Sequence, residues 1–225
     1  MRETVEKKVL SENDRLAAEL RQRYREQNIL CVNLISSPGS GKTALLEKTL
    51  ASLTPTQPVA VLTGDVQTDN DARRLARYGF PVRQIVTGGT CHLDARMIDR
   101  HLVEMGFRGP GLLLVENVGN LVCPSSYDLG EAAKIVLLSV TEGEDKPLKY
   151  PGIFHRASLM ILTKTDLLPY VDFNPELAFE NARKVHPEIE YIAVSSKTGE
   201  GFDQWLNWLN ALQHKFQQPA AAINS

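Results

Sequence analysis

Short, almost continuously apolar runs alternate along the chain with segments whose apolar residues recur at helical spacing. The apolar runs occupy seven stretches: 29–36, 58–64, 81–87, 111–117, 134–140, 158–164 and 190–196. A strand that is buried on both faces carries such a continuous run. Patterns between the runs, such as "TALLEKTLASL" and "DARRLARYG", supply crossover helices. The regular alternation therefore predicts an α/β fold with a mostly parallel, seven-stranded sheet flanked by helices.

The two ends of the chain differ from this alternating pattern. The N-terminal segment 1–27 contains no glycine or proline, and its pattern predicts a helix that begins at residue 3 and ends at about residue 27. Its narrow apolar stripe is formed by Val5, Val9, Leu16, Leu20 and Tyr24. We favour packing of this helix on its own domain, with docking of a partner as the alternative. Residues 28–215 predict one domain ending in a helix that carries Trp205 and Trp208 as core residues, and residues 216–225 predict a disordered tail.

Composition and charge exclude several classes of function. The hydrophobic share is 43% and the charged share 23%, which is typical of a globular protein. Twenty-five Lys and Arg residues against 27 Asp and Glu give a net charge of −2, which argues against a broad nucleic-acid surface. No apolar run approaches the ~20 residues of a membrane helix, and "MRETVEKKVL" lacks a signal core. We therefore expect a cytoplasmic location, and three free thiols or metal ligands before disulfides.

The segment "SSPGSGKT" (36–43) follows the first strand and opens a helix, which is the context of a P-loop. Gly39 and Gly41 let backbone N–H groups face a phosphate chain, Lys42 can bridge its β- and γ-phosphates, and the Thr43 hydroxyl can bind Mg²⁺. Ser36 replaces the first glycine of the general pattern. A glycine-rich turn with an exposed lysine is the alternative. The predicted nucleotide-binding residues are Pro38, Gly39, Ser40, Gly41, Lys42, Thr43 and Ala44.

Acidic residues are predicted at the same edge of the sheet, where ligands bind in open α/β folds. The fourth strand leads into "ENVGN" (116–120), in which Glu116 can hold Mg²⁺ and the Gly119 N–H can sense the γ-phosphate. Asp65 ends the second strand and either completes the Mg²⁺ shell or orients the attacking water. Asp69 and Asp71 are nearby alternatives, although solvation or helix capping also explains them. The predicted catalytic set is Lys42, Asp65 and Gly119.

Two further segments predict which base is recognised. "TKTD" (163–166) ends the sixth strand and "SSKTGEG" (195–201) follows the seventh. Asp166 can accept hydrogen bonds from the N1–H and N2 amino groups of guanine, and adenine offers neither. The predicted base-binding set is Thr163, Lys164, Asp166, Ser195, Ser196 and Lys197. Thr163 occupies the position at which this motif usually begins with asparagine. We therefore expect loss of an amide that braces the loop and weaker binding of the same base. GTP or GDP, rather than ATP, is the predicted ligand.

The segment "GGTCHL" places Cys91 directly before His92, and Cys123 follows Glu116 by seven residues. Thiolate and imidazole together suit Zn²⁺ or Ni²⁺ better than Mg²⁺. Adjacent side chains of an extended segment point to opposite sides, so one ion needs a bend or a site shared between two chains. Spacing alone leaves other interpretations open. A cysteine is often a small hydrophobe, as we expect for Cys31, and His92 could cap the next helix. A Cys–His nucleophile lacks any accompanying substrate-binding signature.

Together these blocks resemble the HypB family of hydrogenase nickel-incorporation GTPases. The resemblance covers nearly the whole chain and includes "NLISSPGSGKTALLEKTL", "GDVQTDNDARR", "TGGTCHLDARMI", "ENVGNLVCPSSYDLGE", "EGEDKPLKYP" and "TKTDLLPY". It implies a SIMIBI-like P-loop GTPase that dimerises with GTP and helps to load nickel into [NiFe]-hydrogenase. It also implies that Cys91, His92 and Cys123 bind Ni²⁺ or Zn²⁺ at the dimer interface. The implied partners are the nickel chaperone HypA and the hydrogenase large-subunit precursor.

The chain lacks an N-terminal cysteine cluster and a histidine-rich tract, so nickel storage is not expected. The N-terminal helix is then a candidate docking surface for a nickel-bearing partner. "EGEDKPLKYP" (142–151) predicts either a solvated loop or a segment whose Lys146 or Lys149 reaches the partner subunit or its nucleotide. The loop carrying Cys123 is predicted to couple nucleotide state to metal affinity.

The expected reaction is hydrolysis of GTP to GDP and phosphate. No arginine finger or glutamine equivalent is evident, so we expect slow intrinsic turnover. Three alternatives remain. A urease accessory GTPase would carry a Cys-Pro-His arrangement, which is absent, and a P-loop kinase would prefer ATP. A metal-binding scaffold would use GTP only to set its oligomeric state.

Overall fold

The computed structural model describes residues 2–54, 56–65 and 69–218, with side chains from residue 7 onward. Seven parallel strands form one sheet in the order β3-β2-β4-β1-β5-β6-β7. They are β1 Ile29–Ser36, β2 Val59–Asp65, β3 Val82–Val86, β4 Gly111–Glu116, β5 Ala133–Ser139, β6 Leu159–Thr163 and β7 Glu190–Ala193. The predicted α/β class and seven-stranded sheet are confirmed.

Within the described ranges, eight α-helices connect and cover these strands. They are α1 Arg2–Glu26, α2 Lys42–Ser52, α3 Asn70–Ala76, α4 Ala95–Met105, α5 Lys146–Lys149, α6 Pro151–Arg156, α7 Pro175–Val185 and α8 Phe202–Gln217. Two 3₁₀ helices, Cys123–Ser125 and Thr165–Tyr170, lie at the strand-end edge. The end of α8 lies two residues beyond the predicted domain boundary at 215. Residues 219–225 of the predicted tail lie outside the described part of the chain.

Apolar layers on the two faces of the sheet hold the strands in place. The central strand β1 is buried along its whole length, because β4 and β5 flank it and helices cover both faces. Trp205 of α8 is fully buried, and Trp208 packs against the same layer from a more exposed position. Cys31 lies in the opposite layer with no exposure, as expected for a cysteine that acts as a small hydrophobe.

Helix α1 lies against β1 and α4, with Ala17, Leu20 and Tyr24 buried. A buried polar contact adds to this packing, because the Asn13 side chain accepts a hydrogen bond from the Ala95 N–H at 2.9 Å. The helix thus touches the segment that begins α4. No described helix has the length and apolar character needed to cross a membrane.

Candidate nucleotide and metal sites

The phosphate loop leaves the carboxyl end of β1 and enters α2 through glycines in left-handed conformations. Gly39 has φ +73° and Gly41, the N-cap of α2, has φ +95°. Residues with a Cβ rarely adopt such angles, which explains the glycines in "SSPGSGKT". The Ser40 hydroxyl is 2.9 Å from the Ser37 carbonyl and 2.6 Å from the Glu142 carboxylate. The loop is therefore held from behind by Glu142, a contact that the sequence did not indicate.

Ser36, which replaces the usual first glycine, positions the phosphate-loop lysine. The Lys42 ammonium donates to the Ser36 hydroxyl at 2.8 Å, and that hydroxyl donates to the Ser37 carbonyl at 2.6 Å. Lys42 is 7% exposed, and its burial lowers the pKa of the ammonium, against the opposing pull of Glu116. The ammonium is thus poised close to the loop that would receive phosphates.

Glu116 and Thr43 form a buried pair at the end of β4. The Thr43 hydroxyl donates to Glu116 Oε1 at 2.7 Å, while Glu116 Oε2 is buried and has no hydrogen-bond partner among the described residues. Burial raises the pKa of Glu116 to about 7. An unpartnered carboxylate oxygen beside a hydroxyl suits a hard divalent cation such as Mg²⁺, which prefers oxygen ligands. These residues therefore fit the predicted Mg²⁺ site.

A cavity of about 480 Å³ opens between these elements. Its lining includes most of the residues predicted to bind phosphate or Mg²⁺: Pro38, Gly39, Gly41, Lys42, Thr43, Ala44, Asp65, Glu116 and Gly119. Ser40 is not among them, because its side chain faces Glu142. Gly119 lies directly against the loop, and a Cβ there would stand 3.0 Å from Pro38 Cα. The structure thus brings the loops after β1, β2 and β4 to one cavity.

Arg74 also lines this cavity, and the sequence reasoning missed it. It lies on α3, where its guanidinium contacts the Glu47 carboxylate at 2.6 Å and the Asp71 carboxylate at 3.3 Å. Asp71 lines the cavity as well, whereas Asp69 pairs with Arg73 at 2.8 Å. The pattern "DNDARR" indicated only a crossover helix. The signal that could have identified Arg74 was a cationic side chain one turn into the helix that follows Asp65.

The predicted base-binding loops are tied to each other and to the phosphate loop. The Ser195 hydroxyl donates to Asp166 Oδ1 at 2.7 Å. The Thr163 hydroxyl donates to the Ser40 carbonyl at 2.6 Å, so threonine provides a brace that we expected only asparagine to supply. Lys164 has φ +59°, which turns the chain between them. Ser196 and Lys197 lie in the turn after β7.

Cys91, His92 and Cys123 are brought together in one chain. Their ligand atoms all lie within 4.8 Å of one another, and the two Sγ atoms are 2.7 Å apart. The hydrogen bond to Cys123, with burial, raises the pKa of the Cys91 thiol. Burial lowers the pKa of His92, and within the part of the chain that the structure describes its buried Nδ1 has no hydrogen-bond partner. Two thiols and an orphaned imidazole nitrogen form a donor set that suits Ni²⁺ or Zn²⁺.

Local turns explain how two adjacent side chains reach one site. Gly88 and Gly89 have φ +62° and +104°, and the Thr87 hydroxyl donates to the Thr90 carbonyl at 2.6 Å. The chain bends through Cys91 and His92, which is the first of the two arrangements that the sequence left open, so both side chains reach one cluster within a single chain. Asp94 caps α4 by accepting from the Met97 N–H at 2.8 Å, which excludes the capping role considered for His92.

The segment 142–151 is structured, so its interpretation as a solvated loop is wrong. Residues 146–149 form the short helix α5, and Glu142 contacts the phosphate loop. Lys146 lies 3.4 Å from the Glu142 carboxylate, and Lys149 pairs with Asp145 at 2.5 Å. Both lysines that were considered for contact with a partner subunit or its nucleotide thus form ion pairs within the chain.

The phosphate loop after β1 and the cavity beside it place this protein in the P-loop class of nucleotide-binding proteins. The family model of the CobW/HypB/UreG nucleotide-binding domain matches residues 30–193. The chain is 55% identical to hydrogenase maturation factor HypB of Escherichia coli K12 over 205 residues, which is 91% of this chain and 71% of that protein. It is 54% identical to HypB of Azotobacter vinelandii, covering 91% of this chain and 68% of that protein.

A solved structure of HypB from Helicobacter pylori in complex with nickel superposes with a TM-score of 0.85. Its sequence is 41% identical, and the match covers 94% of this chain and 100% of that one. The chain belongs to the HypB family of hydrogenase maturation factors. The resemblance noted in the sequence is therefore confirmed.

Proposed function

We propose that this protein is a GTPase that delivers nickel during [NiFe]-hydrogenase maturation, with a metal site that responds to the bound nucleotide. The single observation that carries the proposal is the shared segment after β4. Gly119 of this segment lines the nucleotide cavity, and Cys123, four residues later, belongs to the metal-ligand cluster. A displacement caused by the γ-phosphate therefore reaches a metal ligand along a short stretch of backbone.

Guanine is the base that the loops after β6 and β7 favour. Ser195 holds one oxygen of Asp166, which orients the carboxylate to accept from the N1–H and N2 amino groups of guanine. Lys164 supplies an aliphatic stem for the face of the base, and the turn at Ser196 and Lys197 supplies backbone N–H groups. Related P-loop kinases that use ATP need no such carboxylate.

GTP hydrolysis follows from the charges around the cavity. Lys42 and the N–H groups at the start of α2 stabilise the negative charge that develops on the transferring phosphoryl group. Asp65 lies at the edge of the cavity, in a position to orient water. Thr43 and Glu116 would hold Mg²⁺, which supplies further charge neutralisation when bound. Turnover without a partner is slow, because Arg74 is engaged by Glu47 and Asp71.

Nickel is the cargo of the second site, with Zn²⁺ as a competitor for the same donors. Cys91, His92 and Cys123 supply three ligands, so the coordination is completed by water or by a second copy of the chain in a GTP-dependent homodimer. Val122, directly before Cys123, is 59% exposed, which supports a partner surface at this place. HypA and the hydrogenase large-subunit precursor are the proposed partners in the cytoplasm, with the outer face of α1 as a docking surface.

The test combines metal titration, turnover and molecular mass. Wild type and Cys91→Ala are titrated with Ni²⁺ in GDP and in GTPγS, while light scattering follows mass and phosphate release follows GTP hydrolysis. We expect multiple turnovers, dimers in GTPγS and nickel binding that depends on Cys91. Nickel binding that is unchanged in Cys91→Ala overturns the metal site. A single turnover at most in wild type overturns the hydrolase and favours a scaffold that uses GTP only to set its oligomeric state.

A further inference from the structure

The side chain of Asn117 bridges the nucleotide cavity and the segment that carries the metal ligands. Asn117 is 1% exposed, lines the cavity and directly follows Glu116. Its Oδ1 accepts two backbone hydrogen bonds, from the Val118 N–H at 3.0 Å and from the Leu93 N–H at 3.1 Å. Leu93 is the residue after His92. One oxygen atom therefore holds the loop after β4 and the stretch 91–95, which carries Cys91 and His92 and is called the metal-binding segment below, together.

The other end of the Asn117 amide is fixed. Its Nδ2 donates to Asn33 Oδ1 at 3.2 Å, and Asn33 Nδ2 donates in turn to Glu131 Oε1 at 3.1 Å. The amide therefore has no free rotation with which to absorb a movement of either segment. Because a buried donor or acceptor left without a partner is costly, this network favours discrete arrangements over gradual deformation.

We propose that Asn117 is the positioning residue through which nucleotide state reaches the metal site. If the Val118–Gly119 backbone moves toward a γ-phosphate, the shared Oδ1 either moves with it or loses the Leu93 N–H. Both outcomes reorient the peptide next to His92. The inference rests on the proposed function, because it concerns communication between its two sites. It assigns the transmission to an amide within one chain, in addition to the path along the backbone to Cys123.

The chain offers a matched control for this residue. Asn13 of α1 is also a buried asparagine, 5% exposed, and its Oδ1 accepts from the Ala95 N–H, two residues beyond Leu93. Asn13 holds the same segment but does not line the nucleotide cavity. Substitution of either asparagine removes one buried amide contact to the metal-binding segment. Only Asn117→Ala also removes the contact to the nucleotide side.

The experiment measures the Ni²⁺ dissociation constant in GDP and in GTPγS for wild type, Asn117→Ala and Asn13→Ala. Coupling between two sites typically changes affinity by about 5- to 150-fold, and we expect a ratio of that size in wild type. Asn117→Ala should bring the ratio to within about twofold of unity, whereas Asn13→Ala should keep the wild-type ratio. A merely structural role would lower both affinities and leave their ratio unchanged.

Hydrogen exchange at the Leu93 amide provides a second measurement that needs no variant. In metal-free wild type its protection should differ between GDP and GTPγS, even if Asn117→Ala fails to fold. Equal protection in the two nucleotides, or an Asn117→Ala ratio that matches wild type, overturns this inference and leaves the proposed function intact. A wild-type protein whose nickel affinity is the same in both nucleotides overturns the nucleotide response itself, and this inference with it.

Discussion

The loops that follow β6 and β7 present side chains that are already paired by protein hydrogen bonds. The loops that follow β3 and β4 are also joined by a hydrogen bond, through Asn117, but in addition they present side-chain atoms that suit a metal ion. On the base side, Ser195 contacts Asp166 and Thr163 contacts the phosphate loop. On the metal side, two thiols lie against each other and a buried imidazole nitrogen has no hydrogen-bond partner in the described structure. The first region is organised before its ligand arrives, and the second is completed by it.

This contrast separates the consequences of losing each ligand. A change on the metal side should alter metal affinity and, when no metal is bound, leave nucleotide binding in place, because the base loops do not depend on an ion for their structure. A change on the base side should alter nucleotide affinity and leave the donor set intact. The phosphate loop lies between the metal side and the base side, since it follows β1, and β1 lies between β4 and β5 in the sheet.

The largest expected effect is loss of nickel binding in Cys123→Ala. Removal of an outer-shell partner of a metal typically costs about 10- to 100-fold in affinity, and removal of a ligand should cost more. In metal-free buffer, GTP affinity should change by less than about twofold, since hydrogen bonds hold the base loops. Isothermal titration with Ni²⁺ and with GTP checks both values. Cys31→Ala is the matched control and should bind nickel as wild type does; equal losses in both variants would contradict the assignment of Cys123.

Asp166→Asn should weaken GTP binding by about 100-fold, because hydrogen bonds to a charged group contribute roughly 1.5–3 kcal/mol each. Ser195 would hold the remaining oxygen, so the new amide nitrogen would face the donors of guanine. Xanthosine triphosphate carries a carbonyl in place of the guanine N2 amino group and should bind the variant better than GTP. Competition binding with both nucleotides measures the switch. Asp172→Asn, at an exposed position on the same segment, should leave the preference for GTP unchanged.

Gly119→Ala tests whether the loop after β4 must approach the phosphate loop. The added Cβ would stand 3.0 Å from Pro38 Cα and 3.1 Å from the Pro38 nitrogen, both backbone atoms. Overpacking of this kind typically costs about 1–3 kcal/mol, so GTPγS affinity should fall by about tenfold. GDP affinity should fall less if Gly119 senses the γ-phosphate. Fluorescent-nucleotide titration compares the two, and Gly152→Ala, where a Cβ meets Ser125 at an ordinary 3.5 Å, serves as the control.

The smallest expected effect is that of Thr163→Val, which removes the brace to the Ser40 carbonyl. Affinities for GTP and GDP should fall together by about fivefold, since a lost hydrogen bond contributes roughly 1 kcal/mol. Thr165→Val is its counterpart, because none of the described residues forms a hydrogen bond with the buried Thr165 hydroxyl. That variant should bind both nucleotides as wild type does. A loss confined to GTP in Thr163→Val would show that Thr163 acts on the γ-phosphate side instead.

Features that depend on neighbouring residues in the chain were predictable. Continuous apolar runs predicted all seven strands, because a strand covered on both faces must be apolar along its length. The phosphate loop was equally accessible, since its conformation depends on Gly39, Gly41 and the helix that follows directly. Glu116 and Asp65 could be placed at the same edge because parallel strands end together. Their local contacts could not be inferred from that rule.

Arg74, Glu142 and Asn117 show where such reasoning stops. Each contacts residues far away in sequence: Glu47 for Arg74, Ser40 for Glu142 and Leu93 for Asn117. Their residue types are common on helices and in loops, so no local pattern distinguishes them. They belong to the site because of where they lie around the cavity. The packing of α3 and the order of the strands establish these positions.

Prediction of the candidate metal site at Cys91, His92 and Cys123 needed both kinds of information. The pairing of a cysteine with a histidine indicated soft-metal chemistry from residue types alone, and Cys123 was a plausible third ligand by its distance from Glu116. The convergence of the two segments follows from the strand order β3-β2-β4, which brings loops 30 residues apart to one edge, and from the bend at Cys91 and His92. Side-chain chemistry is encoded residue by residue, but the meeting of donors depends on long-range packing, because no local interaction spans the intervening helix α4.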